Sequence, residues 1–221
     1  MIKNNNIQVK SKKRVADHGE VFTSDREVNA MLDFVKHESE RIESRFLEPA
    51  CGTGNFLVEV LRRKLSIVKL IYSRNDKEFQ KYSIVAISSI YGVDLLLDNI
   101  EECKERLFSI FTEHYSSVIS NNIDNDIKES VKFILDRNIL CGDALTLTDS
   151  LGEAIIFSEW SLVSNEFIKR RDFKLAELLM FPPAEDKHHE DLFSMEVENK
   201  STIRVFREFP LVEYWRIFEH V

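Results

Sequence analysis

Leu47-Glu48-Pro49-Ala50-Cys51-Gly52-Thr53-Gly54-Asn55-Phe56 decides the reading of this chain. An apolar run closes on an acid, a glycine-bearing turn follows, and an amphipathic segment begins. Phe46-Leu47 reads as the end of a strand. Phe56, Leu57, Val60, Leu61 and Leu65 fall on one helical face. Gly52 and Gly54 let the backbone pass close to a ligand where a Cβ would clash. The start of the helix offers N–H groups and a positive dipole end to whatever binds there. The pattern predicts a strand, a glycine turn and a helix arranged around a nucleotide-like ligand. It is not the G-x-G-x-x-G fingerprint, because Leu57 stands at the third glycine position. It is not a P-loop either, since no Gly-Lys-Ser/Thr follows.

Working outward, the same theme recurs. Ile90-Tyr91-Gly92-Val93 is a short apolar run ending at Asp94, and Ile139-Leu140-Cys141-Gly142 ends at Asp143. Helices are predicted from Asp76 to Ser89, from Leu97 to His114 and from Ile127 to Leu135, with a loop over Ser117–Asp126. Upstream, Ser24 caps a helix with Val28, Met31, Leu32 and Val35 on one face, and Glu27 completes a capping box. Glu153–Phe157 is predicted as a fourth strand. Alternating strands and helices imply an α/β fold, a parallel-rich sheet with helices on both faces. Ligands bind such sheets at the carboxyl ends of the strands, which groups Glu48, Asp94 and Asp143 into one expected site.

The chain has 221 residues, 43% apolar and 31% charged, as expected of a globular protein. Residues 1–16 are polar and aperiodic and read as a flexible arm. No stretch reaches the roughly 20 apolar residues of a membrane span, and the N-terminus lacks a signal-peptide core. Cys51, Cys103 and Cys141 are odd in number and far apart, which predicts a reducing cytoplasm and no metal site. Lys10–Arg14, Arg62–Lys64 and Lys169–Arg171 read as solvated basic faces. The His188-His189 segment with Asp186 and Glu190 reads as a solvated loop rather than a metal site. Phe206, Tyr214, Trp215 and Phe218 read as core or as a partner interface rather than a base-stacking surface, in a strand at 203–206 and a short helix at 210–218.

Glu48 to Phe56 resembles the cofactor-binding motif of the N6-adenine DNA methyltransferases, in particular the group containing the modification subunits of restriction systems. The resemblance implies a Rossmann-like class I methyltransferase fold and S-adenosyl-L-methionine as cofactor. It spans residues 18–157 in four ordered pieces. His18–Ser24 resembles the segment in which Thr23 contacts the amino-acid end of the cofactor, although Ser24 stands where the family usually has proline. Glu48, Pro49, Ala50, Cys51, Gly52, Gly54, Asn55 and Phe56 would wrap its methionine part. Asp94 would accept from the ribose hydroxyls. Asp143 would accept from the adenine amine, with Leu145 packed on the ring. The chemistry suits these types, because carboxylates only accept and the cofactor offers donors and a cationic sulfonium.

The resemblance fails at the next motif, where the family carries Asn, Asp or Ser, then Pro-Pro and an aromatic. Here Ser158-Glu159-Trp160-Ser161 follows the fourth strand. Ser158 is an allowed first residue, and Trp160 could stack on a base in a shifted register, so these two are the candidate catalytic residues. Pro182-Pro183 reads as a loop. Residues 17–157 form the expected cofactor domain, and 158–221 a divergent remainder too short to complete the sheet and add a target-recognition domain. The net charge of −8 opposes tight DNA binding, so any grip on DNA is expected to be weak, local or supplied by a partner subunit of a modification complex. Three readings stay open. The first is an adenine-N6 DNA methyltransferase. The second is a degenerate cofactor-binding subunit or regulator. The third is a methyltransferase for protein or small molecules.

Overall fold

The apolar runs that end in acids become neighbouring strands. The computed structural model describes residues 11, 13, 14, 16, 23–119, 123–164, 166–180 and 204–219. Residues 13, 14 and 16 are helical, and after them come α1 (Asp25–Phe34) and α2 (Lys36–Ser39). The start of α1 is set locally. Ser24 Oγ accepts from the Glu27 N–H at 3.4 Å, and the Glu27 carboxylate accepts from the Ser24 N–H at 3.1 Å. Strands β1 (Phe46–Glu48), β2 (Ile90–Asp94) and β3 (Ile139–Cys141) then form a parallel sheet in the order β1-β2-β3. Parallel neighbours need long crossovers. Here α3 (Asn55–Tyr72) and α4 (Asp76–Ser88) join β1 to β2, and α5 (Leu97–Ser116) and α6 (Asn125–Asn138) join β2 to β3. Glu48 pairs with Gly92 and Asp94 with Cys141, so the three strands finish at one end of the sheet.

Side-chain alternation gives β2 two faces. On one face, Gly92 leaves room for Leu57 of α3 and for Cys51. A Cβ there would stand 2.8 Å from the Leu57 side chain and 3.0 Å from Cys51 Sγ. On the other face, Tyr91 and Val93 pack with Ile155, Phe157, Phe173, Leu175 and Leu178. The Tyr91 and Phe157 rings meet edge to face at 5.3 Å.

Residues 153–157 do not add a fourth parallel strand. The strand is β4 (Ile156–Leu162), antiparallel to β5 (Phe167–Lys174), in a second sheet with β6 (Arg207–Glu208) and β7 (Val212–Glu213). The second face of the parallel sheet is therefore covered by this hairpin and the short α7 (Leu175–Met180) rather than by a layer of crossover helices. Residues 204–206 lie just before β6 and are not strand, and 210–218 hold β7 and the start of a 3₁₀ turn (Ile217–Glu219) instead of a helix. Tyr214 is core, as expected, but Phe206 is 47% exposed. The Pro182-Pro183 and His188-His189 segments lie outside the described residues, as does most of residues 1–16. Among the described residues no helix is long and apolar enough to cross a membrane.

The basic clusters are also less solvated than their sequence suggests. Lys64 is fully buried, and its ammonium donates to the carbonyls of Ile42 and Ser44 and to Ser89 Oγ. It ties the approach to β1 to the approach to β2. Burial pushes its pKa down from 10.5 to about 7. The unfolded chain keeps this proton up to the higher value, so between the two the unfolded state carries more protons and stability rises with pH. The expected gain from pH 7 to pH 8.5 is at most about 2 kcal/mol. Urea denaturation at the two pH values should show this rise in the native chain and its loss in Lys64→Met. An equal slope in both would remove Lys64 as the cause.

Candidate functional site

The turn after β1 is fastened to the end of β2 by its own backbone. The Cys51 N–H donates to the Val93 carbonyl at 2.9 Å, and the Gly52 N–H to Asp94 Oδ2 at 2.9 Å. Gly52 and Gly54 take φ of 51° and 83°, the left-handed region that glycine occupies at little cost. Gly54 is the N-cap of α3, and no side chain caps that helix. The end of β3 is joined in the same way, with the Gly142 N–H donating to the Asp94 carbonyl at 2.9 Å.

These connections surround a cavity of about 720 Å³ at the carboxyl ends of the three strands. Thr23, Glu48, Pro49, Ala50, Cys51, Gly52, Asn55, Phe56, Asp94, Asp143 and Leu145 line it. All of these were named from sequence. Gly54 is not in the lining. It stands behind the turn, where an added Cβ would meet Cys103 Sγ at 2.5 Å. Sequence reasoning missed Met31, Leu95, Leu96 and Asn99, and passed over Gly142 and Ala144 beside Asp143. Met31 lies on the apolar face of α1 with Val28 and Leu32, yet it is 54% exposed at the cavity wall. The Leu95-Leu96 pair directly after a strand-ending acid was a usable signal. Asn99 gave none, because its role depends on a tertiary contact with Asp94.

The acids are held in different ways. Asp94 Oδ1 accepts from the Leu96 N–H at 2.9 Å and from Asn99 Nδ2 at 3.1 Å, while Oδ2 takes the Gly52 N–H. Asn99 in turn accepts from Arg14 at 3.1 Å, and Arg14 pairs with Asp98 at 2.6 Å. Asp143 Oδ1 accepts from the Leu145 N–H at 2.8 Å, which turns the chain and leaves Leu145 94% exposed at the rim. Burial raises the Glu48 carboxyl above its ordinary range, partly offset by the Ala50 N–H. The Cys51 thiol is pushed up by its hydrogen bond to Cys103 and by burial, which suits a packing role rather than a nucleophile. The cavity thus offers acceptors at three strand ends, the open start of α3, and apolar surface from Met31, Phe56, Leu95 and Leu145. It fits a ligand with hydroxyl and amine donors, a cationic centre and a flat ring. Among the described residues there is no metal-binding cluster.

Ser158 and Trp160 are not brought into this cavity. Both lie on β4, 2% and 6% exposed. Ser158 Oγ donates to Asp172 Oδ1 at 2.7 Å and accepts from Arg170 Nε at 3.0 Å. The Trp160 indole N–H donates to Asn138 Oδ1 at 3.0 Å, and its ring meets Phe133 edge to face at 6.2 Å. Their hydrogen-bonding groups are engaged inside the protein.

Residues 24–150 match the family model described as MmeI, DNA-methyltransferase domain. The chain is also 30% identical, over 107 residues, to a putative type II restriction enzyme and methyltransferase of Methanocaldococcus jannaschii. That match covers 46% of this chain and 8% of the relative, so the chain corresponds to a small part of that protein. No solved structure matches it.

Proposed function

Because the chain belongs to the family of the MmeI DNA-methyltransferase domain, we propose that its cavity binds S-adenosylmethionine and that it serves adenine-N6 methylation of DNA in a restriction–modification system. The observation that carries the reading is the cavity itself, where carboxylates from three adjacent strand ends converge beside the open start of α3. The cofactor would supply the methyl group from its sulfonium. Asp94, oriented by Asn99 and the Leu96 N–H, would accept from the ribose hydroxyls. Asp143 would accept from the adenine amine, with Leu145 and Leu95 against the ring. Glu48 and the turn through Gly52 would face the methionine end, with Thr23 beside the turn.

The second reading, a cofactor-binding subunit or regulator of a separate modification enzyme, is favoured by one observation. Ser158 and Trp160 are interior residues of β4. A flipped base must be stacked and hydrogen-bonded to offset a few kcal/mol of extrusion, and these two side chains are occupied elsewhere. The isolated chain is therefore expected to bind the cofactor and to methylate DNA weakly or not at all. Transfer of labelled methyl from the cofactor to mixed-sequence DNA tests this. Robust turnover would overturn the subunit reading, and activity only with a second protein would support it. Calorimetry tests the cofactor reading. A hydrogen bond to a charged acceptor is worth ~1.5–3 kcal/mol, so Asp143→Ala should weaken binding about tenfold or more. Absence of binding by the native chain would refute it.

A further inference from the structure

Helix α5 turns one face toward the glycine turn. Asn99, Cys103 and Arg106, at i, i+4 and i+7, meet Asp94, Gly54 and Asn55 in order. Arg106 is not part of the cavity lining, yet it reaches the turn from behind. Its Nη1 donates to the Thr53 carbonyl at 2.6 Å, to Thr53 Oγ1 at 3.1 Å and to Asn55 Oδ1 at 2.7 Å. Asn55 Nδ2 then donates to the Thr23 carbonyl at 3.0 Å. We propose that Arg106 is a positioning residue of the ligand site, acting through the Asn55 amide as a latch that holds the Thr23 wall against the glycine turn.

The orientation of the amide follows from donor and acceptor chemistry. A guanidinium only donates, so it selects the amide oxygen; a peptide carbonyl only accepts, so it selects the amide nitrogen. Asn55 joins the two because it carries both functions at one length. The latch is separate from what holds α1 to the protein. Val28 and Leu32 are buried, and Arg63 of α3 donates to Asn29 Oδ1 at 2.9 Å and pairs with Asp33 at 2.8 Å. Those contacts act along the body of α1. The latch acts just before its first residue, where Thr23 borders the cavity. Opening it therefore loosens the rim without unfolding the helix.

The inference rests on the S-adenosylmethionine reading only for its ligand. Asn55→Asp is the informative variant, since a carboxylate still pairs with Arg106 but has no hydrogen to give Thr23. Hydrogen exchange of the amides of residues 23–30 in the ligand-free chain is expected to speed up about tenfold, with the melting temperature near that of the native chain. S-adenosylmethionine should dissociate about tenfold faster, with little change in association rate. In an Asn55→Ala background, Arg106→Ala also removes its bonds to Thr53 and so affects the turn, but it should change exchange at residues 23–30 by less than about twofold, because Arg106 reaches Thr23 only through the missing amide. Unchanged exchange at 23–30 in Asn55→Asp overturns the latch, as do independent, additive effects of the two alanine variants on that exchange. A native chain that binds no S-adenosylmethionine refutes the functional reading, and exchange alone then decides the latch.

Discussion

Glu159→Ala is expected to lower the stability of the folded chain by about 3–5 kcal/mol, the usual effect of breaking a buried ion pair from one side. Glu159 is completely buried. Its Oε1 accepts from Arg45 at 2.9 Å and from Ser161 Oγ at 2.9 Å, and its Oε2 accepts from Arg171 Nε at 2.6 Å. Arg171 is its cross-strand neighbour on β5, and Arg45 directly precedes β1. One carboxylate therefore fastens β4 to β5 and the whole hairpin to the parallel sheet. Alanine leaves two guanidinium groups short of that acceptor in a site with little water. Glu159→Gln, which keeps one acceptor oxygen but no charge, should fall between. Urea denaturation gives the measurement, provided the slope with denaturant stays constant. A loss below about 1 kcal/mol for the alanine variant would mean that the cluster contributes little.

Gly54→Ala is expected to destabilise the protein by about 2–5 kcal/mol and to weaken S-adenosylmethionine binding by more than tenfold. Two costs add. A left-handed backbone costs a residue with a Cβ roughly 1–2 kcal/mol, and Gly54 sits at φ 83°. The new methyl also meets Cys103 Sγ at 2.5 Å, and Cys103 is completely buried, so the site is overpacked by about 1–3 kcal/mol. Relief requires the turn to shift, and the same turn presents Gly52, Cys51 and the start of α3 to the cavity. The double variant Gly54→Ala/Cys103→Ala separates the costs, because it removes the sulfur and leaves the backbone strain. It should recover the packing part of the stability and only part of the affinity. Thermal melts and calorimetry on Gly54→Ala, Cys103→Ala and the double variant suffice. A single variant with native affinity would show that the turn does not set the site.

The subsite residues most visible in the sequence were those whose geometry is local. Glu48, Asp94 and Asp143 each close an apolar run, and strand ends at one end of a parallel sheet must lie near one another. Asn99 and Arg106 were invisible because each acts on a residue reached only after the crossover helix packs down. Met31 was misplaced because helical periodicity identifies the apolar stripe but not where the stripe leaves the core and meets a cavity.

By itself, the sequence determined what depends on backbone freedom and on contacts within a few residues. These are the capped start of α1 at Ser24 and Glu27, the glycine turn, the apolar runs of β1 to β3, and the helices between them. The tertiary structure alone decided the partner and direction of β4. An apolar segment such as Ile155-Ile156-Phe157 suits a parallel or an antiparallel neighbour equally well. The choice rests on Ser158 meeting Asp172 and Arg170, and on Glu159 meeting Arg171 and Arg45. In the sequence, Arg170 and Arg171 belong to a basic run that reads as solvated. Only folding brings them against buried acids, where a charge without a partner would be too costly to keep. That pairing puts Ser158 and Trp160 in the interior and leaves the cavity to the ends of the three parallel strands.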